Sequence, residues 1–225
     1  MSESAYRSIR TGFNDLDSIF ELGGIEPGSI VLLKSVPNSN AFNFLLSVTQ
    51  ENLEKTEFVT SAHSPRKITD SLEILGCVRS EIPEPHTITP NSGCEDLCET
   101  IAEFDLEEQS VVIVDNIEMF NNSTTECISE TLQLIREITE QTDSIFILHD
   151  LNSSTTGLSD YLTVEYTSDY LFSITKELTD EGIFQNIWIE RLPIGQSIKE
   201  SKKSTRIVKV DDTLKRISTN AGGRI

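Results

Sequence analysis

Ser29-Ile-Val-Leu-Leu-Lys-Ser-Val-Pro-Asn-Ser-Asn-Ala-Phe42 is the stretch on which the reading of this chain turns. Ser29–Lys34 is an apolar run of strand type, and Phe42–Leu53 carries its apolar residues at helical spacing. Strand, tight loop and helix in that order is the setting in which G-x-x-x-x-G-K-[ST] cradles phosphate. Here Ser35 stands at the first Gly, Asn40 at the second, Ala41 at the Lys and Phe42 at the Ser/Thr, with Asn38 and Ser39 in the turn between. The glycines let backbone N–H groups approach the phosphates, the Lys neutralises the terminal oxygens, and the hydroxyl holds Mg²⁺. Ser35 and Asn40 add side chains where close approach is needed. Ala41 brings no charge, and Phe42 cannot bind a metal. A charge-assisted bond contributes about 1.5–3 kcal/mol, so losing the cation, the metal ligand and the glycines together predicts no useful triphosphate affinity. The loop is read as vestigial.

Outward from this stretch, strand-like and helix-like runs alternate, the pattern of a mostly parallel α/β sheet. The expected strands are Ser29–Lys34, Glu57–Ser61, Ser110–Asp115, Ser144–His149, Tyr170–Thr175, Phe184–Arg191 and Arg206–Val210. Val111–Val114 and Ile145–Leu148 are unbroken apolar runs, as expected of central strands covered on both faces. Ser123-x-x-Glu126 has the form of a capping box. Ile128, Leu132, Ile135 and Ile138 follow as the buried face of its helix. The last strands lack intervening helices, which predicts antiparallel strands at the C-terminal end. Asn152–Gly157 is expected to be a polar loop.

Composition narrows the function. The chain has 225 residues, 37% of them hydrophobic, enough for one well-buried core over 1–225. No apolar run approaches the roughly 18 residues of a membrane span, and Met1–Arg7 has no signal-peptide core, so a cytoplasmic protein is expected. The net charge of −19 opposes general affinity for nucleic acid or anionic membrane. An acidic surface of this kind fits a high-salt cytoplasm. The region from about 185 to 225 reverses the balance through Arg191, Lys199, Lys202, Lys203, Arg206, Lys209, Lys215, Arg216 and Arg224, and is expected to favour a protein contact. Cys94 and Cys98 share one helix face, but two thiols with no Cys or His nearby make a poor metal site. His63, His86 and His149 have no metal-ligand spacing. His149-Asp150 ends a central strand, where α/β sheets place ligands, so His149 is a candidate ligand-edge residue.

Thr11-Gly-Phe-Asn-Asp-Leu-Asp17, followed by Gly23-Gly-Ile-Glu-Pro-Gly-Ser29, resembles the opening of KaiC-like ATPases of the RecA superfamily, particularly their short archaeal, halophile-type relatives. Phe58–Pro65 resembles the family's second core strand and turn, Val111–Asp115 its Walker B strand, and Val164–Tyr170 the entry to a late strand. The resemblance implies a RecA-like P-loop NTPase fold in one domain, with a mostly parallel central sheet flanked by helices. It also implies paired catalytic glutamates after the second strand. Ala62 and His63 occupy those positions, so no catalytic residue is expected, while Asp115 keeps the Walker B place. Arg191 matches a basic residue that family members extend to a neighbour's nucleotide, and Pro193 stands where a second is expected.

The sequence thus predicts a pseudo-ATPase without cofactor or metal, acting as a regulatory or adaptor subunit in signal transduction. The expected partner is an active paralogue or a second copy of itself. The alternative is a member that still holds ATP weakly through an atypical loop and serves DNA recombination, repair or signalling.

Overall fold

The computed structural model describes residues 8–37, 39–89, 93–151, 158–179, 182–193 and 204–208. Its strands are β1 (Ile30–Ser35), β2 (Thr56–Thr60), β3 (His86–Thr87), β4 (Val111–Asp115), β5 (Ile145–Leu151), β6 (Tyr170–Thr179), β7 (Gly182–Arg191) and β8 (Ser204–Val208). Its helices are α1 (Asn14–Asp17), α2 (Ala41–Glu51), α3 (Pro65–Ile74), α4 (Cys94–Ala102), α5 (Thr125–Thr142) and α6 (Leu158–Thr167). The strands form one sheet in the order β3-β2-β4-β5-β1-β6-β7-β8. β3 through β6 are mutually parallel along that order, and β7 and β8 are antiparallel, as the expected C-terminal hairpin requires.

Period-2 alternation divides the apolar strands between two layers. Val31, Leu33, Ile113 and Ile147 face α1, α2 and α3, packing with Leu16, Phe44, Ile68 and Leu72. Ile30, Leu32, Val112, Val114, Phe146 and Leu148 face α4, α5 and α6, packing with Leu97, Ile128, Ile135 and Val164. This double coverage explains the unbroken apolar runs of β4 and β5.

The opening Thr-Gly…Leu-Asp motif has a local physical reason. Asp17 Oδ1 accepts from the Thr11 backbone N–H at 2.9 Å and from its hydroxyl at 2.7 Å, knotting residues 11–17. Phe13, inside the knot, stacks on Phe44 of α2 with ring centroids 5.4 Å apart. Gly24 lies against the Ile9–Ile25 bridge, where an added Cβ would stand 2.4 Å from the Ile9 carbonyl oxygen.

One expectation needs correction. α5 is capped by Thr124, whose side chain accepts from the Cys127 N–H, rather than by Ser123. The Ser123 hydroxyl is engaged elsewhere, accepting the Cys94 N–H at 2.8 Å. The two-residue edge strand β3 and the one-turn helix α1 are too short to leave a periodic signal. Asn38, Asn152–Gly157 and the basic residues Lys199, Lys202, Lys203, Lys209, Lys215, Arg216 and Arg224 lie outside the described residues. Among the described residues no helix is long and apolar enough to cross a membrane.

Candidate functional site

The carboxyl ends of β1, β4 and β5 bring together residues far apart in sequence. Ser35, Asp115 and His149 share the parity of Val31, Ile113 and Ile147, so their side chains continue the α2-facing core layer to the sheet edge. β5 lies between β4 and β1, and the register sets Asp115 directly opposite His149. His149 Nδ1 is 2.6 Å from Asp115 Oδ1, and its Nε2 is 2.8 Å from Ser35 Oγ. A carboxylate only accepts, so Nδ1 carries the proton and Nε2 accepts the Ser35 hydroxyl. The chain of contacts is sealed: Ser35 is 2% exposed, His149 5% and Asp115 1%.

Ser–His–Asp in this order is also the relay of a serine nucleophile. Ser35, however, ends an extended strand inside the core rather than sitting on an exposed elbow, so the trio acts here as a clamp across three strands.

The second wall comes from the turn after β2. The Thr60 hydroxyl accepts from the N–H groups of Ala62 and His63 at 3.2 and 3.0 Å, and Ser64 caps α3 ahead of Pro65. This turn leaves Ala62 exposed and tips the half-buried His63 toward Asp115, with Nε2 3.8 Å from Oδ2. That separation exceeds a hydrogen bond, and Asp115 Oδ2 is buried without a hydrogen-bond partner. Burial holds His63 below its ordinary value and outweighs the pull of Asp115, with Lys67 adding to the depression. At neutral pH the contact is therefore not an ion pair.

A depressed histidine leaves the unfolded chain binding more protons as pH falls below 6.5. The folded state should lose stability through that window, and His63→Gln should flatten the loss. Urea denaturation at a series of pH values from about 8 to about 5.5 checks it; an unchanged slope in the variant would rule it out.

Phe42 completes the wall. Its ring meets His63 edge to face at 4.1 Å between centroids, and the Lys67 ammonium stands 5.0 Å from its centroid. The loop itself is a turn, with Ser39 N–H donating to the Val36 carbonyl at 3.0 Å and the Ser39 hydroxyl 3.4 Å from Ala41 N. Asn40 occupies the N-cap of α2 without a side-chain capping bond.

Besides Lys67, the Lys34 ammonium is held on the opposite face of β1. Lys34 Nζ is 3.2 Å from Glu165 and 3.3 Å from Glu190. Arg191 donates to the carbonyl oxygens of Glu165 and Ser168, at the end of α6, and is thus held within its own chain. Burial pushes Asp150 above the usual carboxylate range, against the pull of His149 and Lys34. Sequence reasoning named Ser35, Asp115, His63 and His149 separately but missed that they meet. The available signal was parity: each apolar strand ends in a polar residue on the same face.

Among the described residues no group of three or more His, Cys, Asp or Glu side chains is arranged to hold a metal.

A central parallel sheet with its loop between β1 and α2, extended by an antiparallel hairpin, is the RecA-like fold of KaiC-type ATPases. The flagellar accessory protein FlaH of Methanocaldococcus jannaschii superposes with a TM-score of 0.77 at 14% identity, covering 96% of this chain and all of that one. A KaiC-like protein, PH0186 of Pyrococcus horikoshii, gives 0.66 at 14% identity over 90% and 94% of the two chains. At such identity the likeness shows the fold alone. The chain belongs to DUF7125, a family of unknown function, which it matches over residues 8–215. No curated protein matches the sequence.

Proposed function

We propose that this protein is a pseudo-ATPase: a KaiC-like domain that neither hydrolyses nor usefully binds ATP and acts through its surfaces as a regulatory or adaptor subunit. The observation that carries the reading is the hydrogen-bonded chain Ser35–His149–Asp115, which fills the sheet edge where a phosphate loop and a Walker B carboxylate would handle Mg²⁺-nucleotide. Phe42 packed on His63 supports it, because an aromatic pair stands where a metal-binding hydroxyl and a catalytic carboxylate would be needed. The tethering of Lys34 and Arg191 by α6 and β7 adds that neither of these two cations compensates for Ala41. The name of the structural neighbour FlaH, an accessory protein, fits a role exercised on a partner. The partner we envisage is an active paralogue or a second copy of this chain, in signalling rather than on nucleic acid.

Titration with ATP–Mg²⁺ and with ADP, at low salt and in molar KCl, is expected to leave the thermal midpoint unmoved. A ligand at a hundredfold excess over its Kd would stabilise the protein by about 2.7 kcal/mol, and a shift of that order would overturn the proposal. Restoring the motif through Asn40→Gly, Ala41→Lys and Phe42→Thr is expected to recover measurable ADP binding in calorimetry. If the restored protein folds yet still ignores nucleotide, the register assigned to the loop is wrong.

A further inference from the structure

The two ends of the sheet carry opposite charge. Between Arg79 and Arg136 the sequence runs through carboxylates from Glu81 to Glu130 with no Lys or Arg, and this stretch builds β3, α4 and the start of α5. The two bordering cations are engaged elsewhere, Arg79 with Asp70 and Glu73 and Arg136 with Asp169. At the far end β8 carries Arg206, and Lys209, Lys215, Arg216 and Arg224 follow it against Asp211 and Asp212. Among the described residues β3 and β8 are the edge strands. The Ile88 N–H donates to the Thr60 carbonyl at 2.9 Å, so the alternation of a parallel ladder turns the backbone of Thr87 to the open side of β3. Beside that edge lies an open cavity of about 270 Å³, lined by Thr87, Ile88 and Thr89 and by Asp96, Glu99 and Glu103 of α4 and its end. Helical spacing sets the three carboxylates on one exposed side, while Leu97 and Ile101 are buried in the core. The volume is below that of a drug-sized ligand site and suits one or two long side chains. A Lys or Arg stem can lie on the buried Ile88 while its head meets the carboxylates.

We propose that this groove docks the basic segment Lys209–Ile225 of a second copy of the chain, which enters it with the adjacent pair Lys215 and Arg216. The segment lies outside the described residues and follows β8. A copy's own segment therefore starts across the whole width of the sheet from its groove, seven strand spacings of about 4.8 Å or roughly 34 Å. Two copies set edge to edge bring β8 of one beside β3 of the next, and the segment then starts at the groove. The two surfaces differ, so the contact is heterologous and repeats from copy to copy. It lies at the side of the sheet, away from the strand ends where Ser35, His149 and Asp115 meet. In about 0.15 M salt the repulsion between acidic bodies is screened beyond roughly 8 Å, whereas charges touching in the groove still attract. The inference rests on the proposed choice of partner and narrows it to the second copy.

The test is sedimentation velocity of the full chain, without nucleotide, over a series of concentrations in about 0.15 M salt. The wild-type protein is expected to grow in mass with concentration. Glu99→Lys with Glu103→Lys alters only the groove, at exposed positions toward the C-terminal end of α4, where cations suit the helix dipole. Lys215→Glu with Arg216→Glu alters only the segment. Each double variant should keep the wild-type thermal midpoint and lose the association. Mixed together, the two should form a one-to-one pair, because one retains the segment and the other the groove. A wild-type protein that stays monomeric, association that survives either reversal, or a mixture that stays monomeric would overturn the proposal and leave the groove to a basic segment of another protein. Because no nucleotide is present, this outcome and that of the ATP and ADP titrations can fail independently.

Discussion

His149→Ala is expected to destabilise the fold by about 3–5 kcal/mol, the range for truncating a large buried side chain, with the loss of a hydrogen bond to a buried carboxylate included. Three losses combine. Asp115, 1% exposed and already short of a donor on Oδ2, would lose its bond on Oδ1 as well. The Ser35 hydroxyl would lose its acceptor, and an imidazole-sized void would open between β1 and β4. Ser35→Ala should cost only about 1 kcal/mol, since it removes one neutral hydrogen bond. Guanidinium unfolding of the two variants at neutral pH separates the cases. If His149→Ala proved no worse than Ser35→Ala, the three groups would not form one clamp, and the proposed pseudo-ATPase reading would lose the observation that carries it.

Gly12→Ala is expected to cost about 2–5 kcal/mol. Gly12 has φ +80°, where an L side chain suffers roughly 1–2 kcal/mol of steric penalty. The added Cβ would also stand 2.4 Å from Ser47 Oγ and 2.9 Å from the Ser47 carbonyl oxygen. Overpacking of this kind adds about 1–3 kcal/mol. The hydroxyl can rotate away, but the carbonyl belongs to α2 and cannot move without disturbing the Phe13–Phe44 stack. Pairing Gly12→Ala with Ser47→Ala should therefore recover a part of the loss and leave the remainder. Full recovery in the double variant, measured by denaturant midpoints, would contradict the backbone argument.

The fold was legible wherever burial writes itself into periodicity. Val111–Val114 and Ile145–Leu148 read as central strands because both faces of β4 and β5 are covered, and both lie inside the sheet. Ile128, Leu132 and Ile135 read as a core face and are buried, with Ile138 packed at its margin. The cap of α5 was misread by one residue because Ser123 and Thr124 are chemically alike. Only the Cys94 N–H, brought in from α4, distinguishes them. The site was half legible. Each position was visible alone, while the bond from Asp115 through His149 to Ser35 exists only once β5 is inserted between β4 and β1.

The His149 link also bears on motion. In an α/β ligand site the ends of neighbouring strands are where loops loosen and re-form as cargo comes and goes. Here a side chain rivets those ends together, and backbone amides at the tips of β4 and β5 should exchange with deuterated solvent as slowly as those at mid-strand.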